Sequence, residues 1–138
     1  MGGAGAGWDD LVRAALEARQ RAYAPYSGFT VGAAVAAADG RVFTGANVEN
    51  ASYSLAICAE RAAVITAVSA GARELVALAV ATGASPPAMS CGSCRQTVAE
   101  FAHDLRGFAV LTVNDRGERL ETTLADLLPL PFLGRDLA

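Results

Sequence analysis

The spacing of apolar and polar positions changes period several times along the chain, and each change marks an element. Asp9 or Asp10 can cap a helix whose apolar stripe is Leu11, Val12, Ala15, Leu16 and Ala18. That helix is expected to run to about Tyr23, with Pro25 as its stop. Val31 to Ala38 reads as a strand, Asp39-Gly40 as a two-residue turn, and Arg41 to Gly45 as the returning partner. Asn47 to Ile57 collects Asn, Ser and Tyr without a period and reads as irregular. A helix follows from about Cys58 to Ala70, closed by Gly71. Its only charges are Glu60 and Arg61, so it is expected to be covered on most sides. Leu75 to Thr82 is a continuous apolar run, the pattern of a strand buried on both faces. Gly83 to Ser90 holds two prolines and reads as loop, and Gly92 to about Ala102 as the next helix. Phe108 to Val113 is a strand, Asn114 to Gly117 a turn, and Glu118 to Thr122 the returning strand. A short helix, Leu124 to Leu128, ends at Pro129.

This order of helix, two strands, helix, strand, helix and two strands implies a mixed sheet with helices packed on it, an α/β layer plan. With 138 residues the chain has room for one domain with a real core and too little for two. No internal repeat or linker interrupts it, and residues 8–138 are assigned to that domain. Met1 to Gly7 is rich in Gly and Ala, lacks a basic start and a long apolar stretch, and is read as a disordered tip, not a signal peptide.

Composition narrows the partners. The chain is 53% hydrophobic, much of it alanine, but no apolar run reaches the length of a membrane span. The net charge is −3 and the eleven basic residues are scattered, which argues against a nucleic-acid surface. Three cysteines make a poor disulfide framework, so a reducing, cytoplasmic setting is expected.

All three cysteines lie in two short stretches, Cys58-Ala59-Glu60-Arg61 and Cys91-Gly92-Ser93-Cys94-Arg95-Gln96. A Cys-x-x-Cys pair alone suits a redox pair or half of a structural zinc site. A redox pair leaves Cys58 and Glu60 unexplained. A structural site needs four ligands, and the only further candidate is His103, nine residues after Cys94. A catalytic zinc takes three protein ligands and keeps one position for water, which the three cysteines match. Glu60, two residues past a ligand, can stay off the metal and face that water, as in zinc deaminases that use three cysteines. Cys58 and Cys91 open predicted helices, whose N-terminal dipoles favour thiolates. Zinc with three thiolates sums formally to −1, and Arg61 can offset that by donating hydrogen bonds to sulfur.

These two stretches, Asn47-Val48-Glu49-Asn50, and Tyr23-Ala24-Pro25-Tyr26-Ser27 followed by Phe29 and Val31-Gly32-Ala33 together resemble the small cytidine deaminases that act on free nucleosides. The resemblance runs from about Leu11 to Phe132. It implies a three-layer α/β/α sandwich around a mixed five-stranded sheet and one zinc per subunit, held by Cys58, Cys91 and Cys94. It also implies hydrolytic deamination of cytidine and deoxycytidine, in pyrimidine nucleoside salvage. Glu60 would take a proton from the zinc-bound water and deliver it to ring N3, hydroxide would attack C4, and Glu60 would then protonate the departing amine. Asn47 and Glu49 are implied to hold the ribose hydroxyls, Phe29 to pack on the pyrimidine, and the Ala59 backbone to contact the base. The resemblance further implies a homotetramer with shared active sites, in which Phe132 reaches a neighbour's pocket and Tyr53 sits at the same boundary. A deaminase of a modified cytosine nucleoside such as blasticidin S shares these motifs, and a structural zinc module is the alternative from another class. The sequence departs from the family at Ser90, where proline is usual, and at Ala62, where threonine is frequent. Ser90 is expected to cap the following helix in proline's place.

Overall fold

A computed structural model describes residues 5–137. Helix α1 spans Gly5–Arg19, strands β1 and β2 are Gly32–Ala37 and Val42–Ala46, and helix α2 is Ala59–Ser69. Strand β3 is Leu75–Thr82, helix α3 is Gly92–Ala99, strands β4 and β5 are Ala109–Asn114 and Arg119–Thr123, and helix α4 is Leu124–Leu127. The five strands form one sheet in the order β2-β1-β3-β4-β5. Only the β3–β4 pair is parallel; its crossover runs through α3.

Each face of the sheet is matched in side-chain size to the helix on it. One face presents mostly alanines, Ala34, Ala36, Ala77, Ala79 and Ala81, and receives the large residues of α1, Trp8, Leu11 and Val12. The other presents Val35, Leu78, Val80 and Val110 and receives the alanines of α2, Ala59, Ala63 and Ala67. Large against small lets helix and sheet interdigitate without voids. At two crossing points even a methyl group has no room. A Cβ on Gly32 would strike the α1 backbone at Ala15 and Arg19, and one on Gly45 would strike α2 at Ala59 and Ala63. The three-layer sandwich and five-stranded mixed sheet are as expected, and β3 has the predicted bounds.

The first helix departs from expectation at both ends. It begins at Gly5, inside the stretch read as a disordered tip, whose residues 1–4 lie outside the described residues. Trp8 is only 5% exposed, and anchoring it on the sheet draws the preceding turn into the helix. Asp9 and Asp10 are therefore not caps; they pair with Arg119 and Arg13. The helix stops at Arg19, short of Tyr23, because Tyr23 is claimed by the next strand-like segment. Its N–H donates to the Asn47 carbonyl, and its own carbonyl accepts from Glu49 N–H. The irregular stretch after β2 is held in this way, with Val48 bridging Tyr23 on one side and Ile57 on the other.

Candidate active site

Two helix starts converge at one end of the sheet. Cys58 is the N-cap of α2 and Cys91 the N-cap of α3, both with extended backbone. An N-cap normally spends its side chain on the free N–H groups of the first turn. Neither cysteine does so, and both sulfurs are left for each other. Cys58 Sγ lies 4.0 Å from Cys91 Sγ, and Cys91 Sγ lies 3.2 Å from Cys94 Sγ. All three sulfurs lie within 4.8 Å of one another, too far apart for disulfides. Ligands 2.3 Å from a tetrahedral zinc stand about 3.8 Å apart, so the spacing suits one ion.

The electrostatics point the same way. Burial pushes the Cys58 thiol up, and burial together with the Glu60 charge pushes Cys94 up. Burial also opposes ionisation of Cys91, but hydrogen bonds led by Ser93 and Cys94 outweigh it and bring its pKa down to about 7. Two of the three thiols are therefore held toward the neutral form by burial, and a cation among the sulfurs would favour their ionisation. Cys94 is fully buried in the first turn of α3, while Cys58 and Cys91 border a cavity.

That cavity holds about 290 Å³, the small end of the range for ligand pockets. Glu60 forms part of its wall, 5% exposed, and burial raises its carboxyl pKa. Phe29, Asn47, Glu49, Ala59, Cys58 and Cys91 also border it. The Asn47 amide is fixed on the cavity wall, donating to Phe29 O at 2.9 Å and accepting from Val31 N at 2.8 Å. Glu49 accepts from Tyr26 N and Ser27 N at 2.9 and 3.2 Å and closely from Ser27 Oγ. These bonds hold its carboxyl below the usual range.

Three expected site residues stand elsewhere. Tyr53 faces a second cavity with Tyr26 and Asn50, which meets the first at Glu49 and Ala56. Phe132 is 59% exposed on the C-terminal segment and does not border the cavity. Arg61 is half-buried, and the sulfurs hydrogen-bond to one another and to Ser93 Oγ, 3.3 Å from Cys91, with no contribution from Arg61. His103 is far from a fourth-ligand role; it pairs with Glu74 at 3.3 Å, and the cluster of candidate ligands is the three cysteines alone among the described residues. Ser90 is buried next to the helix start but is not its cap, because Cys91 takes that position.

A chain match reads this arrangement plainly. A family model described as the cytidine and deoxycytidylate deaminase zinc-binding region matches residues 8–107. The chain belongs to the cytidine and deoxycytidylate deaminase family. A cytidine deaminase of Sporosarcina psychrophila is 45% identical over 94% of each chain. One of Mycobacterium tuberculosis is 43% identical over 94% of this chain and 95% of its own. The crystal structure of a cytidine deaminase from Burkholderia pseudomallei superposes with a TM-score of 0.84 at 45% identity, covering 90% of this chain and 98% of that one. Zinc is the cofactor of this family's binding region, and the Cys58, Cys91 and Cys94 cluster is positioned to take it.

Two neighbours of the deaminase site carry no sequence signal beyond their place in the motif. Arg95 donates from Nε to Ser90 O at 2.9 Å and from Nη1 to Leu127 O at 3.2 Å. Gln96 Nε2 donates to Phe132 O at 2.6 Å. A guanidinium bridging two backbone carbonyls ties the start of the ligand helix to the C-terminal segment. Only a half-buried charge in the first turn of α3 hints at it.

Proposed function

We propose that this protein hydrolyses cytidine and deoxycytidine to uridine and deoxyuridine plus ammonia, in pyrimidine nucleoside salvage, through a single domain over residues 8–138. The observation that carries this reading is a buried carboxyl, Glu60, on the cavity wall beside a three-thiol metal cluster. Cys58, Cys91 and Cys94 would hold the zinc, which when bound supplies Lewis-acid activation of a water molecule. Glu60 carries a proton to ring N3 and later to the leaving amine. Its raised pKa suits both directions of transfer, since an acid–base group works best near the operating pH. Phe29 offers an apolar face to the pyrimidine, and the Ala59 backbone borders the same space. Asn47 and Glu49 present oxygen acceptors to the ribose hydroxyls. Free nucleoside is the substrate class, a reading supported by the likeness to cytidine deaminases.

The active unit is a homotetramer. The support is the row of large apolar groups left in water near the site, Tyr53 at 79%, Leu130 at 94% and Phe132 at 59% exposed. Phe132 of one subunit closes over the base in the next, with Tyr53 at the shared boundary. The enzyme works in the cytoplasm, where its three free thiols stay reduced. No described helix is long and apolar enough to cross a membrane.

The test incubates purified, zinc-loaded protein with cytidine, deoxycytidine, cytidine monophosphate and blasticidin S, following ultraviolet loss on deamination. Turnover of the two plain nucleosides is expected. Turnover of blasticidin S alone would move the assignment to a modified nucleoside, and no turnover with zinc bound would overturn it.

A further inference from the structure

The loop over residues 83–90 joins β3 to Cys91, and its Ala88 and Met89 form one wall of the cavity. Two of its residues are proline and lack a backbone N–H. Its ends are held by Ala84 N donating to Thr82 Oγ1 at 3.1 Å and by Arg95 Nε on Ser90 O at 2.9 Å, and a further anchor comes from the turn between β4 and β5, which does not border the cavity. Asn114, 2% exposed at the end of β4, uses its two amide ends differently. Its Oδ1 accepts from Arg116 N and Glu118 N at 3.0 and 3.1 Å, which shapes its own turn. Its Nδ2 donates to Ala84 O at 2.9 Å and to Glu118 Oε1 at 2.8 Å. The same Glu118 oxygen accepts from Ser85 Oγ at 2.6 Å. The loop is thus gripped at Ala84 and Ser85 by one side-chain pair, Asn114 at the end of β4 and Glu118 in the turn before β5. Asp115 of that turn also pairs with Arg19 at 3.1 Å, and Arg19 Nε donates to Thr30 O and Oγ1, both at 3.1 Å, beside the wall residue Phe29.

We propose that the β4–β5 turn, acting through Asn114 and Glu118 on Ala84 and Ser85, positions the Ala88–Met89 wall of the cavity and so sets how tightly the base is held. Asn114 and Glu118 are positioning residues; neither touches the cavity. This rests on the deaminase reading for the identity of the bound ring.

The test uses the zinc-loaded enzyme and variants of the exposed members, which spare the buried Asn114. Glu118→Ala is expected to raise KM for cytidine about two- to tenfold, the range of one or two lost hydrogen bonds, with kcat, zinc content and Tm unchanged. Glu118→Gln keeps the accepting oxygen and should restore KM. Ser85→Ala, made from the loop side, should shift KM in the same direction, and the double variant Ser85→Ala/Glu118→Ala by less than the product of the two. Amide exchange at Ala84, Ala88 and Met89 should quicken in Glu118→Ala, a readout that stands even if cytidine is not the substrate. An unchanged KM together with unchanged exchange in Glu118→Ala overturns the proposal. So does a loss of activity that follows Tm and is not restored by glutamine. Failure of the wild-type enzyme on cytidine would instead count against the deaminase reading.

Discussion

The thiol end of the cavity and the exposed aromatics Phe29, Tyr53 and Phe132 are built on opposite plans. At the thiol end each reactive group is fixed by the start of a helix: Cys58 and Cys91 as N-caps, Glu60 and Cys94 within the first turns. Two of these, Glu60 and Cys94, are buried, and the three candidate metal ligands come together within one chain. Phe29 on the cavity wall, Tyr53 on the adjoining cavity and Phe132 outside both sit on segments without regular secondary structure or on a single 3-10 turn, largely exposed. The chemistry needs sub-ångström placement, which rigid elements supply. Exposed apolar area tolerates looser placement, and under the proposed assembly a second surface would cover it.

The largest effect expected anywhere in the molecule follows from removing a ligand. Cys58→Ala, Cys91→Ala and Cys94→Ala should each lose zinc and activity together, because two thiolates are too few for a stable site. Metal analysis of the purified variants checks this, and full zinc occupancy in any one removes that cysteine from the ligand set. Glu60→Gln separates the two functions of the same end. The amide keeps the shape and the zinc but cannot carry a proton, so turnover should fall by about 10² to 10⁴. Near-normal turnover with the amide would take Glu60 out of the proton path.

The same division explains what could be read in the sequence. Elements with a period were legible: the apolar run of β3 has its predicted bounds, and Asp39-Gly40 and Gly71 stand where turns and a helix end were expected, with Gly40 and Gly71 in the left-handed region at φ 94° and 97°. The thiol end was legible because metal chemistry restricts residue types and spacing. What stayed hidden were side chains that serve another segment's backbone. Arg95 on Ser90 and Leu127, Asn47 on Phe29 and Val31, and Asn114 on Ala84 all join positions 5 to 32 residues apart. Such bonds depend on tertiary approach and leave no period. The early start of α1 was hidden for a related reason: the burial of Trp8 against the sheet outweighs the poor helix propensity of Gly5 and Gly7.

The exposed aromatics offer a milder break. Phe132→Ala should raise KM about two- to tenfold, the worth of one aromatic contact, and leave zinc content unchanged. Its carbonyl is already tied to Gln96, so truncating the ring leaves the backbone anchor in place. Co-refolding with Glu60→Ala then asks whose pocket the ring serves. Mixed oligomers of a shared-site enzyme contain some cavities with Glu60 from one chain and Phe132 from another, and activity should exceed the sum of the two variants. Activity equal to that sum, with mixed oligomers present, places the ring over its own chain.

The smallest effect distinguishes two candidates for support of the sulfurs. Arg61 was expected from the sequence to donate to them, whereas the structure places Ser93 Oγ 3.3 Å from Cys91 Sγ. A hydroxyl bonded to a metal-bound thiolate steadies its orientation and spreads its charge, and partners of this kind are worth about 10- to 100-fold in metal affinity. Cys91 is the most exposed of the three ligands, which puts Ser93 at the low end of that range. Ser93→Ala is therefore expected to weaken zinc about tenfold in competition with a chromophoric chelator. Arg61→Ala should weaken it less, because its guanidinium must first move to reach a sulfur. The reverse order would return the supporting role to Arg61 and reduce Ser93 to a surface hydroxyl beside the helix start.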